Sequence, residues 1–340
     1  MVPALVLTAG LATRLRPLSF VRAKAALPVA GTPLIHRILR PLRSAGVQDV
    51  VLNLHYLPRT LTGLLGDGSA LGLRIRYSWE VPVLGSAGGP KRAIPLLANP
   101  ESRVPNPEPR IPNPESRVSD PGPRVPDSGT FLILNGDTLT DVSLPAVLDD
   151  HRRSGALVTM AVVPNTEPEK YSGVGVGPDG AFTGWVPRGS REPSYHFIGV
   201  QVAEPAAFAS VPADTPSEVR TLYPALVAAR PGAVRAFRTQ ASFMDIGTPS
   251  DYLETSLLLA AREGIDTSAG AEISPTARIE RSILWDDVIV EDGAMLKDCV
   301  VTDGVRVPAD TSWHGVTIRV ASAELTPGER RIEGLAIGSL

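Results

Sequence analysis

A stretch near the start of the chain combines small residues with basic side chains. It runs from Leu5 to Val29 and reads LVLTAGLATRLRPLSFVRAKAALPV. Small residues such as Gly10 let backbone N–H groups approach an anion closely, while Arg14 and Lys24 add positive charge and further donors. This combination is typical of a loop that binds phosphate. The spacing matches neither the Walker loop nor the dinucleotide fingerprint, so an ordinary connection between a strand and a helix is the alternative.

Two aspartates further along the chain can complete such a site. Asp137 follows the apolar run 131–134 in the sequence Asn-Gly-Asp, and Asp245 precedes Ile-Gly-Thr-Pro. Two carboxylates that converge from distant segments can share a Mg²⁺ ion with substrate phosphates. Taken alone, each aspartate fits a turn or a helix cap better. The metal-binding interpretation therefore depends on the phosphate loop.

A second glycine-rich segment, 84–89, reads LGSAGG and lies between a predicted strand and a predicted helix. Its backbone can pack against a flat base or a ribose, and a flexible turn is the alternative. Glu80 precedes it, and a carboxylate offers acceptors for the N1–H and N2–H₂ donors of guanine. Uracil and thymine have only one such donor, so this residue weakly favours guanine.

The elements that would position these residues alternate between strand and helix. Apolar periodicity predicts strands at 4–7, 50–54, 73–77 and 131–134 and helices at 34–45, 57–65 and 91–98. Repeated βαβ units of this kind predict a mainly parallel sheet covered by helices. Ligands bind such sheets beyond the carboxyl ends of the strands, where the loop after residue 7 would lie.

Residues 99–129 interrupt this alternation with a degenerate tandem repeat. The units read NPESRVP, NPEPRIP, NPESRVS and DPGPRVP. Each contains proline and lacks two apolar core positions, which excludes a coiled coil. Proline-rich, charge-balanced repeats favour extended, solvated conformations. We interpret the segment as a disordered surface insertion, with a docking role for a partner as the alternative.

The pattern changes again after residue 264. Single apolar residues recur at intervals of five or six: Ile273, Ile279, Leu284, Val290, Leu296, Val301 and Val307. A strand in one sheet has a period of two and a helix one of 3.6, so this spacing indicates the three-sided coil of a β-solenoid. An antiparallel β segment is the alternative, because the intervals are unequal.

The composition restricts the class of protein. The 340 residues carry a net charge of −3 from nearly balanced acids and bases, which argues against a nucleic-acid-binding surface over the whole molecule and leaves local basic sites open. Cys299 is the only cysteine, so no disulfide forms within the chain, and the five histidines are too dispersed for a zinc site. Residues 2–7 are too short an apolar run for a signal peptide or a membrane span. We expect a cytoplasmic protein that binds neither nucleic acid nor membrane.

Taken together, these pieces resemble the sugar-1-phosphate nucleotidyltransferases. The motifs are LTAGLATRLRPL with AKAALPVAGTPL, then VLGSAGG, LNGD, YSGVGV and MDIGTPSDY, in the family's order. The pattern is most similar to the members that act on mannose 1-phosphate with GTP and on N-acetylmuramate 1-phosphate with UTP. The resemblance implies a Rossmann-like, three-layer α/β domain with a mainly parallel sheet over residues 1–264. A short, left-handed β-helix-like domain would follow over residues 265–340.

The resemblance also implies a role for each matching residue. The nucleotide would contact Ala9, Gly10, Arg14, Glu80, Gly85 and Ser86; the sugar phosphate would contact Lys24, Gly173, Arg188 and Gly199; Asp137 and Asp245 would hold Mg²⁺. Among these residues, Arg14, Lys24 and Asp137 would be catalytic.

The chain departs from the family at three positions. Ala12 replaces a glycine, and its methyl group would be strained if the backbone needs a positive φ. Ala23 replaces a proline before the lysine. Pro187 replaces a glutamate that binds sugar, while Arg188 keeps the neighbouring cation. The family pattern therefore predicts the sugar less securely than any other part of the function.

The implied reaction is a Mg²⁺-dependent nucleotidyl transfer from an NTP to a sugar 1-phosphate, which gives an NDP-sugar and pyrophosphate. GTP and mannose 1-phosphate are the first choice, and UTP or dTTP with another sugar 1-phosphate is the alternative. A non-catalytic homologue that binds an NDP-sugar and regulates a partner is a second alternative, and an acyltransferase using the C-terminal coils with His314 as base is a third. Because relatives use the appended domain for assembly or regulation, the chain can form a homo-oligomer through residues 265–340.

Overall fold

The computed structural model describes residues 2–98, 129–322 and 325–340. Contacts divide the chain into two compact units, of which the first comprises Met1–Gly10, Ile38–Pro58 and Thr62–Phe243 and the second Leu11–Arg37, Arg59–Leu61 and Met244–Leu340. The domain boundary expected after residue 264 is a different division and stays a prediction. The proline-rich insertion expected at 99–129 lies, except for Gly129, outside the described residues.

Six α-helices lie within the described ranges: α1 (Leu34–Ser44), α2 (Pro58–Leu65), α3 (Gly85–Ala98), α4 (Leu144–Ser154), α5 (Val219–Ala229) and α6 (Pro249–Glu263). Short 3₁₀ turns occur at Thr13–Leu15, Leu18–Phe20, Lys24–Ala26, Ser69–Leu71 and Pro205–Phe208. None of the helices in this part of the chain has both the length and the apolar character needed to cross a membrane.

The strands up to residue 245 are β1 (Ala4–Leu7), β2 (Pro28–Val29), β3 (Thr32–Pro33), β4 (Asp49–Leu54), β5 (Arg74–Trp79), β6 (Phe131–Asn135), β7 (Thr138–Thr140), β8 (Val158–Pro164), β9 (Gly173–Val176), β10 (Phe182–Val186), β11 (Tyr195–Ala203), β12 (Val234–Arg238) and β13 (Phe243–Asp245). Those that follow are β14 (Glu272–Ile273), β15 (Arg278–Glu280), β16 (Ile283–Leu284), β17 (Ile289–Val290), β18 (Met295–Lys297), β19 (Val300–Val301), β20 (Arg306–Val307), β21 (Ser312–His314), β22 (Val316–Val320), β23 (Arg330–Ile332) and β24 (Leu335–Ser339).

A nine-stranded sheet forms the centre of the first unit. Its main path is β10-β9-β11-β6-β1-β4-β5, with β8 and β12 continuing from β11. Strands β6, β1, β4 and β5 are parallel, whereas β11 runs antiparallel to β6. Because Ala4 pairs with both Val50 and Leu132, the carboxyl ends of three parallel strands meet at one edge. The predicted α/β fold with a mainly parallel sheet is confirmed.

The core of this unit follows from the apolar strands. Leu5, Val51, Phe131 and Ile133 are at most 1% exposed and belong to one buried cluster. Strands that are buried on both faces read as continuous apolar runs, as β1 and β6 do. This rigid sheet presents the loops that follow its strands.

The second unit contains a β-helix-like stack of parallel strands. Three ladders run through it, β14-β17-β20, β15-β18-β21 and β16-β19-β22. Ile273 pairs with Val290 and Val290 with Val307, so each coil takes 17 residues. Inward residues such as Leu296 and Val301 form its buried core. The solenoid prediction is confirmed. In the described part of the stack, the antiparallel pairs are those that join β22, β23 and β24 at its end.

Candidate active site

The loop after β1 is held by a buried asparagine. Asn53, at the end of β4, is 3% exposed and accepts hydrogen bonds through Oδ1 from the backbone N–H of Thr8 at 2.6 Å and of Ala9 at 3.3 Å. The Ala9 N–H is therefore used within the protein. Gly10 is the accessible part of the small-residue loop, because it is exposed and no atom lies within 4 Å of its Cβ position. Asn53 was not among the predicted site residues, although a polar residue inside the buried strand DVVLNL was a signal for it.

Glu80 lies inside the protein and does not face a base. The residue is 1% exposed. One carboxylate oxygen accepts from Asn53 Nδ2 at 2.8 Å, and the other accepts from the Leu84 N–H at 2.8 Å. Because both oxygens are buried against protein donors, they present no open edge to guanine. The expectation that Glu80 reads the base is therefore corrected, since the residue braces the turn that precedes α3.

Asp137 lies at the carboxyl end of β6, beside the start of the small-residue loop. The preceding Gly136 donates its N–H to the Leu7 carbonyl at 2.9 Å. A Cβ atom at Gly136 would lie 2.6 Å from that oxygen and 2.7 Å from Thr8 Cγ2, so only glycine fits. Thr138 Oγ1 donates to Asp137 Oδ1 at 3.1 Å and orients the carboxylate. The Asn-Gly-Asp sequence thus brings Asp137 to the phosphate-type loop.

Gly199 packs on the same turn from the neighbouring strand β11. It has a φ of +76°, and a Cβ atom there would come within 3.1 Å of Asn135 and Thr138. Two predicted site residues, Asp137 and Gly199, therefore lie at one place in the first unit. The assignment of Gly199 to the sugar stays a prediction.

The second glycine-rich segment forms the first turn of α3, which begins at Gly85 and not at residue 91. Gly85 has a φ of +76°, and a Cβ atom there would lie 2.7 Å from the Ser217 carbonyl oxygen. That oxygen accepts from the Ala87 N–H at 2.8 Å, and Glu218 accepts from the Ser86 N–H at 3.3 Å. The glycine is thus explained by tight packing of the chain on itself. The assignment of Gly85 and Ser86 to a base pocket stays a prediction.

Two predicted sugar residues of the first unit lie on other elements than Asp137: Gly173 begins β9, and Arg188 follows β10. Gly173 is buried, and a Cβ atom there would lie 2.5 Å from Ser194 Cβ. Arg188 is exposed in a tight turn, in which the Gly189 N–H donates to the Pro168 carbonyl at 2.8 Å. An exposed guanidinium is accessible to an anion from solvent, which fits the predicted phosphate contact.

An aromatic cluster beside Gly173 was not foreseen. The His196 ring lies 4.2 Å from the Tyr171 ring and 4.7 Å from the Phe243 ring, between centroids. Burial lowers the pKa of His196 to about 4, against a weaker opposing effect of a hydrogen bond with the Ser172 backbone. The imidazole is therefore neutral near pH 7 and packs as one of the three rings of this cluster.

In the second unit, Ala12 adopts the left-handed conformation that the sequence analysis questioned. Its φ is 47° and its ψ is 44°. The Ala12 carbonyl accepts from the Leu15 N–H and from Ser19 Oγ, each at 3.0 Å. These bonds stabilise the turn before Arg14, although the left-handed conformation costs about 1–2 kcal/mol for a residue with a Cβ atom such as Ala12.

Arg14 and Asp245 converge on Gly247 within the second unit. A Cβ atom at Gly247 would lie 3.3 Å from Asp245 Oδ2 and 3.5 Å from Arg14 Nη1. Because glycine lacks that atom, the guanidinium and the carboxylate share the space. Two site residues that are far apart in sequence therefore lie together, and Arg14 remains exposed.

Lys24 is half-buried at the start of its 3₁₀ turn, between the buried residues Ala23 and Ala25. Ala23 has φ −55° and ψ 145°, which a proline would also adopt. Its N–H, which a proline would lack, donates to Thr60 Oγ1 at 3.2 Å. The replacement of proline therefore keeps the backbone conformation in front of Lys24.

Solved structures share this fold. The crystal structure of HddC from Yersinia pseudotuberculosis aligns with a TM-score of 0.59 at 20% identity, covering 76% of this chain and 100% of that chain. A putative glucose-1-phosphate thymidylyltransferase from Bacillus anthracis aligns with a TM-score of 0.60 at 14% identity, covering 76% of this chain and 95% of that chain. Together with the sheet described above, these likenesses define the fold that this chain shares with those proteins, an α/β domain with a mainly parallel sheet.

The family follows from sequence. The model of the nucleotidyl transferase family matches residues 3–103 and 123–262, and the chain belongs to this family. Similar proteins include the mannose-1-phosphate guanylyltransferase of Mycobacterium tuberculosis, 29% identical over 91% of this chain and 82% of that protein. Mannose-1-phosphate guanylyltransferase 1 of Arabidopsis thaliana is 28% identical over 93% of this chain and 82% of that protein. The resemblance stated from the motifs is thereby confirmed.

Proposed function

We propose that the protein transfers a nucleotidyl group from an NTP to a sugar 1-phosphate. An oxygen of the sugar phosphate attacks the α-phosphorus, the bond from that phosphorus to the β-phosphate oxygen breaks, and pyrophosphate leaves. The observation that carries this proposal is the packing of the Asp137 turn against Leu7 and Thr8, at the start of the small-residue loop. The relatives named guanylyltransferases, which match more than nine-tenths of the chain, support it.

Positioning and charge neutralisation supply most of the catalysis, because two anionic groups must be brought together. Arg14 would bind the β- and γ-phosphates, Lys24 the α-phosphate and the sugar phosphate, and Arg188 the sugar phosphate. The attacking phosphate is already ionised near neutral pH, so no general base is needed. The open backbone of Gly10 is suited to the nucleoside.

Asp137 and Asp245 are the proposed ligands of Mg²⁺. Their carboxylate oxygens are the hard donors that this ion prefers, and one or two of them with substrate phosphates are sufficient. Within the described ranges, no group of three or more His, Cys, Asp or Glu side chains is arranged to hold a metal. Such a group is not required for an ion bound with its substrate. When bound, Mg²⁺ would neutralise charge on the phosphates.

GTP and mannose 1-phosphate are the proposed substrates. This choice rests on the relatives, since the buried Glu80 no longer favours guanine. The structure of HddC from Yersinia pseudotuberculosis has been determined with GMP-PN, so a fold of this type accommodates a guanine nucleotide. UTP, dTTP and other sugar 1-phosphates are the competitors to include in any assay.

Asp137→Asn tests the proposal. The change keeps the shape of the side chain but removes the charge, and pyrophosphate release in the presence of Mg²⁺, GTP and mannose 1-phosphate should fall at least a hundred-fold, about 2.7 kcal/mol in the barrier. Asp149→Asn is the control, because Asp149 is an exposed residue of α4 that bonds only Arg152 at 3.2 Å among the contacts described. Near-normal turnover of Asp137→Asn would remove its assigned role, and binding of an NDP-sugar by a wild-type protein without turnover would favour a regulatory homologue.

A further inference from the structure

The segment Leu11–Arg37, which carries Arg14 and Lys24, is bound to the β-helix-like coils through Arg22. Arg22 donates through Nε to Asp303 Oδ2 at 2.8 Å and through Nη2 to Asp303 Oδ1 at 2.7 Å. The same Nη2 donates to Asp286 Oδ2 at 2.6 Å. A two-pronged contact between guanidinium and carboxylate fixes direction as well as distance. All of these residues lie in the second unit.

The two aspartates hold equivalent positions in consecutive coils. Asp286 and Asp303 are 17 residues apart, which is one coil, and the Asp286 N–H donates to Asp303 Oδ1 at 3.3 Å. Stacked carboxylates repel each other unless a cation lies between them. Arg22 supplies that cation, and its guanidinium also lies 5.5 Å from the Trp285 ring centroid.

The contacts with Asp303, Asp286 and Trp285 leave little of the Arg22 side chain exposed to solvent. Its side chain is only 16% exposed, compared with 28% for Asp303 and 70% for Asp286. Burial, which alone would lower it, is outweighed by the hydrogen bonds to Asp303 and Asp286, so the pKa of Arg22 is raised. Because two carboxylates already balance the charge of this guanidinium, it is unsuited to binding phosphate itself.

A second contact fastens the same segment. The Phe20 ring lies near two guanidinium groups, since Arg16 Cζ is 5.0 Å and Arg319 Cζ is 5.3 Å from its centroid. Arg319 is held by paired hydrogen bonds of 2.8 Å to Glu329, and both side chains are at most 3% exposed. Arg319 is therefore held in one position, and Phe20 packs against it.

We propose that Arg22 is a positioning residue, which uses the β-helix-like coils as a fixed support to aim the segment bearing Arg14 and Lys24 at the substrate phosphates. Arg22 lies two residues before Lys24, so its contacts with the coils restrain the backbone next to the lysine. The coils then belong to the substrate-binding machinery and are more than an appended domain. This proposal rests on the proposed function for its catalytic consequence and on the second unit's contacts for its structural one.

Arg22→Gln tests the proposal against a matched control. Arg281→Gln removes an arginine that also bridges two carboxylates of the second unit, Asp298 and Glu254, each at 2.8 Å, outside the phosphate-binding segment. We expect Arg22→Gln to raise KM for both the NTP and the sugar 1-phosphate at least five-fold. Arg22→Lys should restore part of the loss, because it keeps the charge. Arg281→Gln should leave both KM values within two-fold of the wild type.

Hydrogen–deuterium exchange of the full-length proteins provides a readout that does not need turnover. The amides of Leu15, Phe20 and Ala26 donate within the 3₁₀ turns of the segment, at 2.8–3.1 Å. Arg22→Gln should speed their exchange at least ten-fold, and Arg281→Gln should not. Thermal unfolding midpoints identify a variant that simply fails to fold, in which case Arg22→Lys replaces it.

The outcomes separate the two proposals. Faster exchange in Arg22→Gln with no pyrophosphate release by the wild type would support the fastening of the segment and contradict the proposed function. An active wild type with equal KM values and equal exchange in Arg22→Gln and Arg281→Gln would overturn the role of Arg22.

Discussion

At the scale of single residues, the backbone conformation of Ala12 explains why the family pattern has a glycine at this position. The family pattern suggested that glycine is needed there, and the left-handed φ of 47° shows why. Two hydrogen bonds to the Ala12 carbonyl, from Leu15 and Ser19, hold the strained turn. The strain is therefore borne by a loop whose purpose is to present Arg14.

Ala12→Gly should stabilise the protein. Glycine adopts the left-handed conformation without a Cβ penalty, so the free energy of unfolding should rise by about 1 kcal/mol. Ala23→Gly is the control in the same loop, because its φ of −55° suits alanine and glycine only adds flexibility. Urea titrations of the two variants give the comparison. A loss of stability in Ala12→Gly equal to that in Ala23→Gly would contradict the strain.

His196 should make stability depend on pH. Its pKa is lowered by burial from 6.5 to about 4, so the unfolded chain takes up the proton first as the pH falls. Stability is therefore retained above pH 6.5 and lost between pH 6.5 and about 4. At pH 4.5, the protonation of His196 lowers the free energy of unfolding by roughly 2 kcal/mol, and His196→Phe should abolish this effect. Urea unfolding at pH 7 and 4.5 measures it, and an unchanged pH dependence in the variant would refute the assignment.

The single residues differ in how far the sequence revealed them. Asp137 was predictable, because an Asn-Gly-Asp turn after an apolar strand leaves few other places for the carboxylate. The burial of Glu80 was not, since its partners Asn53 and Leu84 are brought together only by the tertiary fold. Sequence identifies which side chains carry charge, whereas the packing decides which of them reach solvent.

At the scale of elements, the β-helix-like coils were the most predictable part of the fold. Intervals of six, five and six residues separate Ile273, Ile279, Leu284 and Val290, and the same order recurs after Val290. The unequal intervals that argued for an antiparallel segment are thus themselves regular and give the 17-residue coil. The start of α3 was less predictable, because glycines that disfavour a helix are required there by packing against Ser217.

Gly136→Ala should disable the turn between β6 and β7. The new methyl group would lie 2.6 Å from the Leu7 carbonyl oxygen, so the backbone bearing Asp137 must move. We expect kcat/KM for pyrophosphate release to fall at least ten-fold, about 1.4 kcal/mol. Gly63→Ala in α2 is the control, because no atom lies within 4 Å of its Cβ position. Equal kinetics in the two variants would show that the close approach at Gly136 does not matter.

At the scale of the whole molecule, the chain divides into units that interleave in sequence. The second unit joins Leu11–Arg37 to Met244–Leu340, so the basic segment and the coils fold together. A sequence read from one end to the other suggests consecutive domains, because contacts between distant segments leave no local pattern. The homo-oligomer expected through residues 265–340 stays a prediction, which sedimentation of the wild type will test.

Tyr252 joins three distant segments of the second unit and should be important for its stability. It is fully buried, its hydroxyl donates to the Pro28 carbonyl, and it accepts from Trp285 Nε1 at 2.8 Å. Tyr252→Phe leaves the buried Trp285 N–H unsatisfied and removes the donor from the half-buried Pro28 carbonyl, so unfolding should become easier by about 2 kcal/mol. Tyr77→Phe, which removes a more exposed bond to the Gly66 carbonyl at 2.7 Å, should cost less than about 1 kcal/mol. Similar losses in the two variants would contradict the role of Tyr252.

The central claim is that a nucleotidyl group moves to a sugar 1-phosphate, and ³¹P NMR of the complete reaction tests it most directly. With Mg²⁺, GTP and mannose 1-phosphate, we expect pyrophosphate and an NDP-sugar to appear in equal amounts and both to be absent when either substrate is omitted. UTP and dTTP with other sugar 1-phosphates serve as the comparison set. Release of orthophosphate or GMP, or no NDP-sugar with any pair of substrates, would contradict the claim.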